Sequence, residues 1–352
     1  MLYYIMRFKM SRLFSTVSAI TLLTGSAALA DSPKVVTDIA PVHSLVSRVM
    51  DGLGKPDLIV PNETSPHDYR LRPADAEALE SAVLVFWMGE SLTPWMERAL
   101  DSLSGEATIV EFLALNETKT LPFREGALFD AHDHSDHNDH DDHDDHDDHD
   151  HDKEHDDHDD HDDHDHDKEH DDHDDHAGHD HGDFDPHAWL STDNAKAWLN
   201  VIAAKLSSID PTNAGDYFAN ASEAITELDA LDKEVDEMLD TVRGGKFIVF
   251  HDAYQYFETV YDFPASGAIS LSDASDPGAA RIAEIANRIM SENIQCVLSE
   301  PQFNANMVDT VMAGTEAKTE VIDPLGFGLE PGASLYTKLI KGMATSLVNC
   351  LK

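Results

Sequence analysis

Basic residues are scarce in this chain. In 352 residues, 24 Lys and Arg stand against 69 Asp and Glu, giving a formal net charge of −45. Such a surface excludes nucleic acid as a partner, because a phosphate backbone selects Lys and Arg. Long apolar runs are also missing: beyond the N-terminus nothing approaches the eighteen residues of a membrane-spanning helix. No H-E-x-x-H, G-x-S-x-G or Gly-rich phosphate-binding loop occurs, and "GLGK" at Gly52 reads as a turn. Hydrolase and nucleotide-dependent chemistry therefore lack their usual signatures, and an enzyme is not expected.

Apolar side chains are almost absent between Ala131 and Asp183, where nearly every residue is Asp or His. A segment with nothing to bury cannot offset the entropy of ordering its backbone, so a disordered loop spanning 130–183 is expected. It holds 18 of the 22 histidines and 28 of the 69 acidic residues, opposed only by Lys153 and Lys168. From His140 a fifteen-residue unit repeats twice without mismatch. An acidic run alone is usually a solvated spacer, but interleaved imidazole is a ligand for zinc, copper and nickel. His140, His143, His146, His149, His155, His158, His161 and His164 are accessory metal-ligand candidates.

What is present at the N-terminus reads as an export signal. Arg7, Lys9 and Arg12 precede the apolar run Leu13 to Leu23, and "ALA" at Ala28 to Ala30 suits cleavage after Ala30. The start codon is open among Met1, Met6 and Met10. No cysteine lies near Ala30, so a free, soluble mature chain is expected in a periplasm. In that oxidising compartment the only two cysteines, Cys296 and Cys350, read as a disulfide.

Short β-branched runs alternate with amphipathic stretches. "KVVTDI" at Lys34, "DLIV" at Asp57, "AVLVFW" at Ala82 and "ATIVEF" at Ala107 read as buried parallel strands, with helices at Pro73 to Glu80 and Leu92 to Leu103 between them. Thr192 to Ser208 reads as a helix, and Ala214 to Val242 as one long amphipathic helix ended by Gly244 and Gly245. At 1.5 Å per residue it would reach about 40 Å. The alternation then resumes with "KFIVF" at Lys246, "CVLS" at Cys296 and "EVID" at Glu320, separated by helices from Pro277 to Glu292 and near Asn306 to Ala313, with a final helix from Ser334 to Cys350. The expected fold is α/β, with two lobes joined by a long rigid helix and a ligand site in the cleft between them. The divisions are 1–30 for the signal, 31–191 for the first lobe, 192–243 for the helical segment and 244–352 for the second lobe.

Four histidines lie outside the Asp/His run. His67 in "SPHDY", His187 in "DFDPHAWL" and His251 in "VFHDAY" fall at strand exits or connecting loops facing the expected cleft, and Asp323 in "VIDPLG" follows the last strand. Three imidazoles and a carboxylate or water would suit tetrahedral zinc, whereas a site richer in carboxylate would suit manganese. His43, inside the first helix, reads as structural.

The stretches "PHDYRLRPADAEAL", "DPHAWLS", "FHDAYQYF", "SEPQF" and "DPLG" resemble the metal-binding receptors that feed bacterial ABC importers, specifically the high-affinity zinc-uptake, or ZnuA, type. The resemblance covers the mature chain in order, including an acidic His-rich insertion before the second ligand motif. It implies a periplasmic receptor, expected to be a monomer, that hands Zn(II) to a membrane permease. It also implies zinc ligands at His67, His187 and His251. Manganese members typically carry Glu at the third position, so His251 favours zinc. Asp323 matches an aspartate that some members use as a ligand. The residue before His67 is Pro66, where some zinc receptors carry an acidic ligand, so the fourth ligand is left as water, Asp323 or Glu63. The paired cysteines of zinc members support the Cys296–Cys350 bond. The rival readings are a zinc buffer, in which the Asp/His run is the main site, and a receptor of the same family for manganese or another divalent metal.

Overall fold

Two four-stranded sheets, each wholly parallel, carry the structure, a computed structural model that describes residues 32–124, 129, 184–270, 278–303 and 305–352. The expected export signal and the Asp/His run, with its candidate accessory histidines, lie outside the described residues. The first sheet holds β1 (Val35–Thr37), β2 (Asp57–Leu58), β3 (Leu84–Trp87) and β4 (Thr108–Glu111) in the order β2-β1-β3-β4. The second repeats that plan with β5 (Phe247–His251), β6 (Ala268–Ser270), β7 (Cys296–Ser299) and β8 (Lys318–Val321) in the order β6-β5-β7-β8. Parallel neighbours require crossover connections, and helices supply them. These are α1 (Ala40–Val49), α2 (Pro73–Ser81) and α3 (Pro94–Leu103) in the first lobe. In the second they are α6 (Gln255–Tyr261), α7 (Ala279–Glu292) and α8 (Ala305–Met312), and α9 (Leu335–Leu351) follows the last strand.

Between the lobes run α4 (Thr192–Ile209) and α5 (Ala214–Asp240). Ser191 caps α4, its hydroxyl accepting from Asn194 N at 3.2 Å. The apolar stripe of α5 is buried at Tyr217, Ala221, Ala224, Leu228, Leu231, Val235 and Leu239, at the three-to-four spacing of one helix face. That face packs on α4, on α1 of the first lobe and on α9 of the second. After α5 the chain turns at Gly244, whose φ of +83° suits glycine. One continuous apolar core therefore runs from Val36 and Leu84 through Trp198 and Leu228 to Phe247 and Leu339. A smaller one covers the other face of the second sheet. Alternation along β5 makes the division, with Phe247 and Val249 in the large core and Ile248 and Phe250 in the small one.

Cys296 and Cys350 form a disulfide with Cα atoms 5.6 Å apart, tying β7 to α9. Among the described residues no helix is long and apolar enough to cross a membrane.

Candidate metal site

Three segments converge on a cavity of about 20 Å³, lined by His67, His187 and His251 together with Glu300, Gln302 and Trp189. This is room for one small body. The rings of His187 and His251 stand 5.3 Å apart between centroids, and those of His67 and His187 6.1 Å.

His251 closes β5, and Glu300 immediately follows Ser299, the last residue of β7. Phe247 is in register with Cys296 and Ile248 with Val297, so the same offset of 49 sets His251 beside Glu300. His251 Nδ1 is 2.6 Å from Glu300 Oε1, which also faces His251 N at 3.4 Å. His187 precedes the short 3₁₀ turn Ala188–Leu190, held by Trp189 Nε1 donating to Pro324 O at 2.8 Å. Its Nδ1 lies 2.7 Å from Asp185 Oδ1, which accepts His187 N at 2.9 Å. An oxygen already accepting from the backbone N–H is an acceptor for the ring too, so Nδ1 carries the proton and Nε2 keeps its lone pair. The same argument holds at His251. These are the carboxylate–imidazole pairs that orient metal ligands. His67 sits in the loop after β2, where Trp95 Nε1 donates to Pro66 O at 2.8 Å and Asn62 Nδ2 reaches across to Leu329 O at 2.8 Å.

Among the described residues, Glu300 is the one acidic residue that lines the cavity, and Asp185 stands behind His187. Burial pushes the Asp185 carboxyl up to about 7, against the hydrogen bond from His187 N and the charge of Arg124. Burial also raises Asp323, although Leu325 N and Gly326 N donate to its Oδ1 at 3.0 and 2.9 Å. Asp323 thus caps the turn whose Pro324 and Leu325 line the cavity, and is not itself a lining residue. Glu63 is exposed and does not line the cavity. His43 lies buried in α1, its ring nitrogens facing Pro56 O at 3.2 Å and Ser47 Oγ at 3.4 Å.

The equivalent crevice of the first sheet, between the ends of β1 and β3, is filled differently. Asp38 is fully buried there, its two oxygens accepting Ile39 N at 2.8 Å and Met88 N at 2.7 Å.

Comparison with known proteins places the chain. The model of the family described as ZnuA, zinc-uptake complex component A, periplasmic, matches residues 35–350. The chain belongs to this family. Among its relatives, the high-affinity zinc uptake system protein ZnuA of Brucella abortus (strain 2308) is 47% identical over 327 residues, covering 93% of this chain and 94% of that protein. The protein of the same name from Paracoccus denitrificans is 45% identical over 331 residues, 93% and 95% of the two chains. A crystal structure of ZnuA superposes with a TM-score of 0.66 at 20% identity, covering 92% and 100%. The solute-binding protein FpvC of Pseudomonas aeruginosa, in complex with Mn2+, gives 0.67 at 16%, covering 91% and 98%. At these identities the two structures show the shared fold.

Reading the sequence singled out the three histidines but not Asp185, Glu300 or Arg124. Asp185 and Glu300 sit inside the quoted motifs "DFDPHAWL" and "SEPQF". Their partnership with the imidazoles depends on a turn and on a strand register that no local pattern displays.

Proposed function

We propose that this chain is a periplasmic zinc receptor that binds one Zn(II) between His67, His187 and His251 and delivers it to a membrane ABC permease. The observation that carries the reading is the convergence of three imidazoles from distant segments on one ion-sized cavity, two of them backed by a buried carboxylate on Nδ1. Neutral imidazole facing a small space is a donor set for zinc, and its nitrogen character disfavours manganese. Nδ1–H donation to a carboxylate makes Nε2 more basic and fixes its direction. Among the described residues no three His, Cys, Asp or Glu side chains enclose an ion as they stand. The His67 and His187 rings stand 6.1 Å apart against 5.3 Å for His187 and His251, so metal binding draws His67 inward to reach a zinc–nitrogen distance of about 2 Å.

The fourth position belongs to water in this reading, because Asp323 does not line the cavity and Glu63 faces solvent. Three histidines plus an open position also describe catalytic zinc. A cavity of about 20 Å³ suits an ion and not an organic substrate, which supports a receptor that is not an enzyme. The relatives' names carry the same zinc-uptake role. The Asp/His run, outside the described residues, acts as an accessory capture segment by raising local zinc concentration. Imidazole must be neutral to bind, so this capture fades below about pH 6.

The test is a competitive zinc titration with stoichiometry. It compares the mature chain, a chain lacking 131–183, and that deletion carrying His67→Ala with His251→Ala. One tight zinc retained by the deletion and lost in the double substitution is expected. Tight binding that vanishes with the run alone would make the protein a zinc buffer and overturn the receptor reading.

A further inference from the structure

Arg124 presents a feature that ligand binding alone does not require. It closes the described segment after β4, and its side chain is 17% exposed between Asp252 at 7% and Glu258 at 6%. Its Nε donates to Asp252 Oδ1 at 2.9 Å and Oδ2 at 3.1 Å, and Nη2 also donates to Asp252 Oδ1. Its Nη1 and Nη2 donate to Glu258 Oε2 and Oε1 at 2.7 and 3.1 Å. One face of the guanidinium lies 3.5 Å from the centre of the Phe129 ring. The whole planar fork is used, on two carboxylates that bracket the turn from β5 into α6. A lysine, with a single point of charge, cannot reproduce that pattern.

Asp252 is the peptide neighbour of His251, and Glu258 anchors the helix that follows. A second tie runs alongside: Leu121 N donates to Tyr256 Oη at 2.9 Å, and that hydroxyl donates to Asp185 O at 2.8 Å. Asp185 N in turn donates to Leu121 O at 2.8 Å. The segments carrying His251 and the Asp185–His187 pair are thus fastened to one stretch, residues 121–124. A buried ion cluster of this kind is a poor source of net stability, because desolvation offsets most of the attraction. Its value lies in fixing geometry.

We infer that Arg124 is a positioning residue that sets the placement of His251 relative to His187 and thereby the retention of zinc. The inference rests on the reading of the three histidines as the zinc site. It predicts that Arg124→Lys weakens zinc binding about tenfold, mainly through faster dissociation, in the range found for partners outside the ligand shell. A second variant, Arg124→Met with Asp252→Asn and Glu258→Gln, removes the cluster without leaving a buried charge. It should fold and show the same loss.

Zinc affinity and dissociation rate, cobalt(II) absorption bands as a report of ligand geometry, and the urea midpoint of metal-free protein are measured for both variants and the parent. Altered cobalt bands with faster zinc loss are expected in whichever variant folds. Parental affinity, dissociation rate and cobalt spectrum in a folded variant, whatever its urea midpoint, overturn the inference and leave a purely structural role. If the parent shows no single tight site abolished by His67→Ala with His251→Ala, the underlying zinc reading fails instead.

Discussion

Glu300→Gln isolates the contribution of charge behind an imidazole of the proposed zinc site. Glu300 is 4% exposed and its Oε1 lies 2.6 Å from His251 Nδ1. Gln has nearly the same shape and keeps an oxygen able to accept from Nδ1–H, but the bond is no longer charge-assisted. Such bonds are roughly twice as strong as neutral ones, so the change removes about 1 kcal/mol, or about fivefold to tenfold in zinc affinity. Glu300→Ala removes the acceptor altogether and leaves a buried Nδ1–H without its carboxylate. The ring is then free to turn, and about 100-fold is expected. Competition against a chromophoric chelator at pH 7 measures both, and the order should be parent, Gln, Ala. Affinities within twofold of the parent in both variants would refute the idea that the carboxylate prepares His251. A Gln variant weaker than Ala would refute the isosteric argument.

Two further perturbations address the frame. Replacing both Cys296 and Cys350 by Ala opens a link across a sequence separation of 54. Loop entropy predicts a loss of about 4 kcal/mol in urea unfolding, with zinc affinity changed less than threefold because the bond lies at the far end of β7 from Glu300; a stability loss under about 1 kcal/mol would contradict this. Burial pushes Asp38 up to about 7, so the folded chain holds a proton that the unfolded chain releases near pH 4. Stability from this group is present at low pH and falls as pH rises from about 4 to about 7, by up to about 1.4 kcal/mol per pH unit. Asp38→Asn abolishes that slope, and a stability difference between parent and variant that stays constant from pH 4.5 to 6.5 would sink the assignment.

Much of the frame was legible because its signals are local. "VLVFW" and "KFIVF" are continuous apolar runs of strand length, and both strands are buried along their whole length. The long helix was legible from its spacing alone and begins at the expected Ala214. Two elements escaped. β6 is only "AIS", three residues after a glycine, and α6 is "QYFETVY", seven residues and too short to display a stripe. The site divides similarly. His67, His187 and His251 stand out because histidine is rare outside the Asp/His run, whereas Glu300 gains its role through a register spanning 49 residues and Arg124 through contacts spanning 128 and 134. Sequence patterns report what a segment is, and pairing across such intervals belongs to the tertiary fold.

The two sheets share one strand order, and the cavity lined by the three histidines meets the strand ends of the second. In the first, Asp38 stitches the ends of β1 and β3 to each other. At the proposed zinc site the first lobe contributes His67 from a loop, and the second His251 from the rim of a sheet. Changes in the loop around His67 should tune how readily cargo enters and leaves, while changes at the ends of β5 and β7 should decide which cargo is accepted at all.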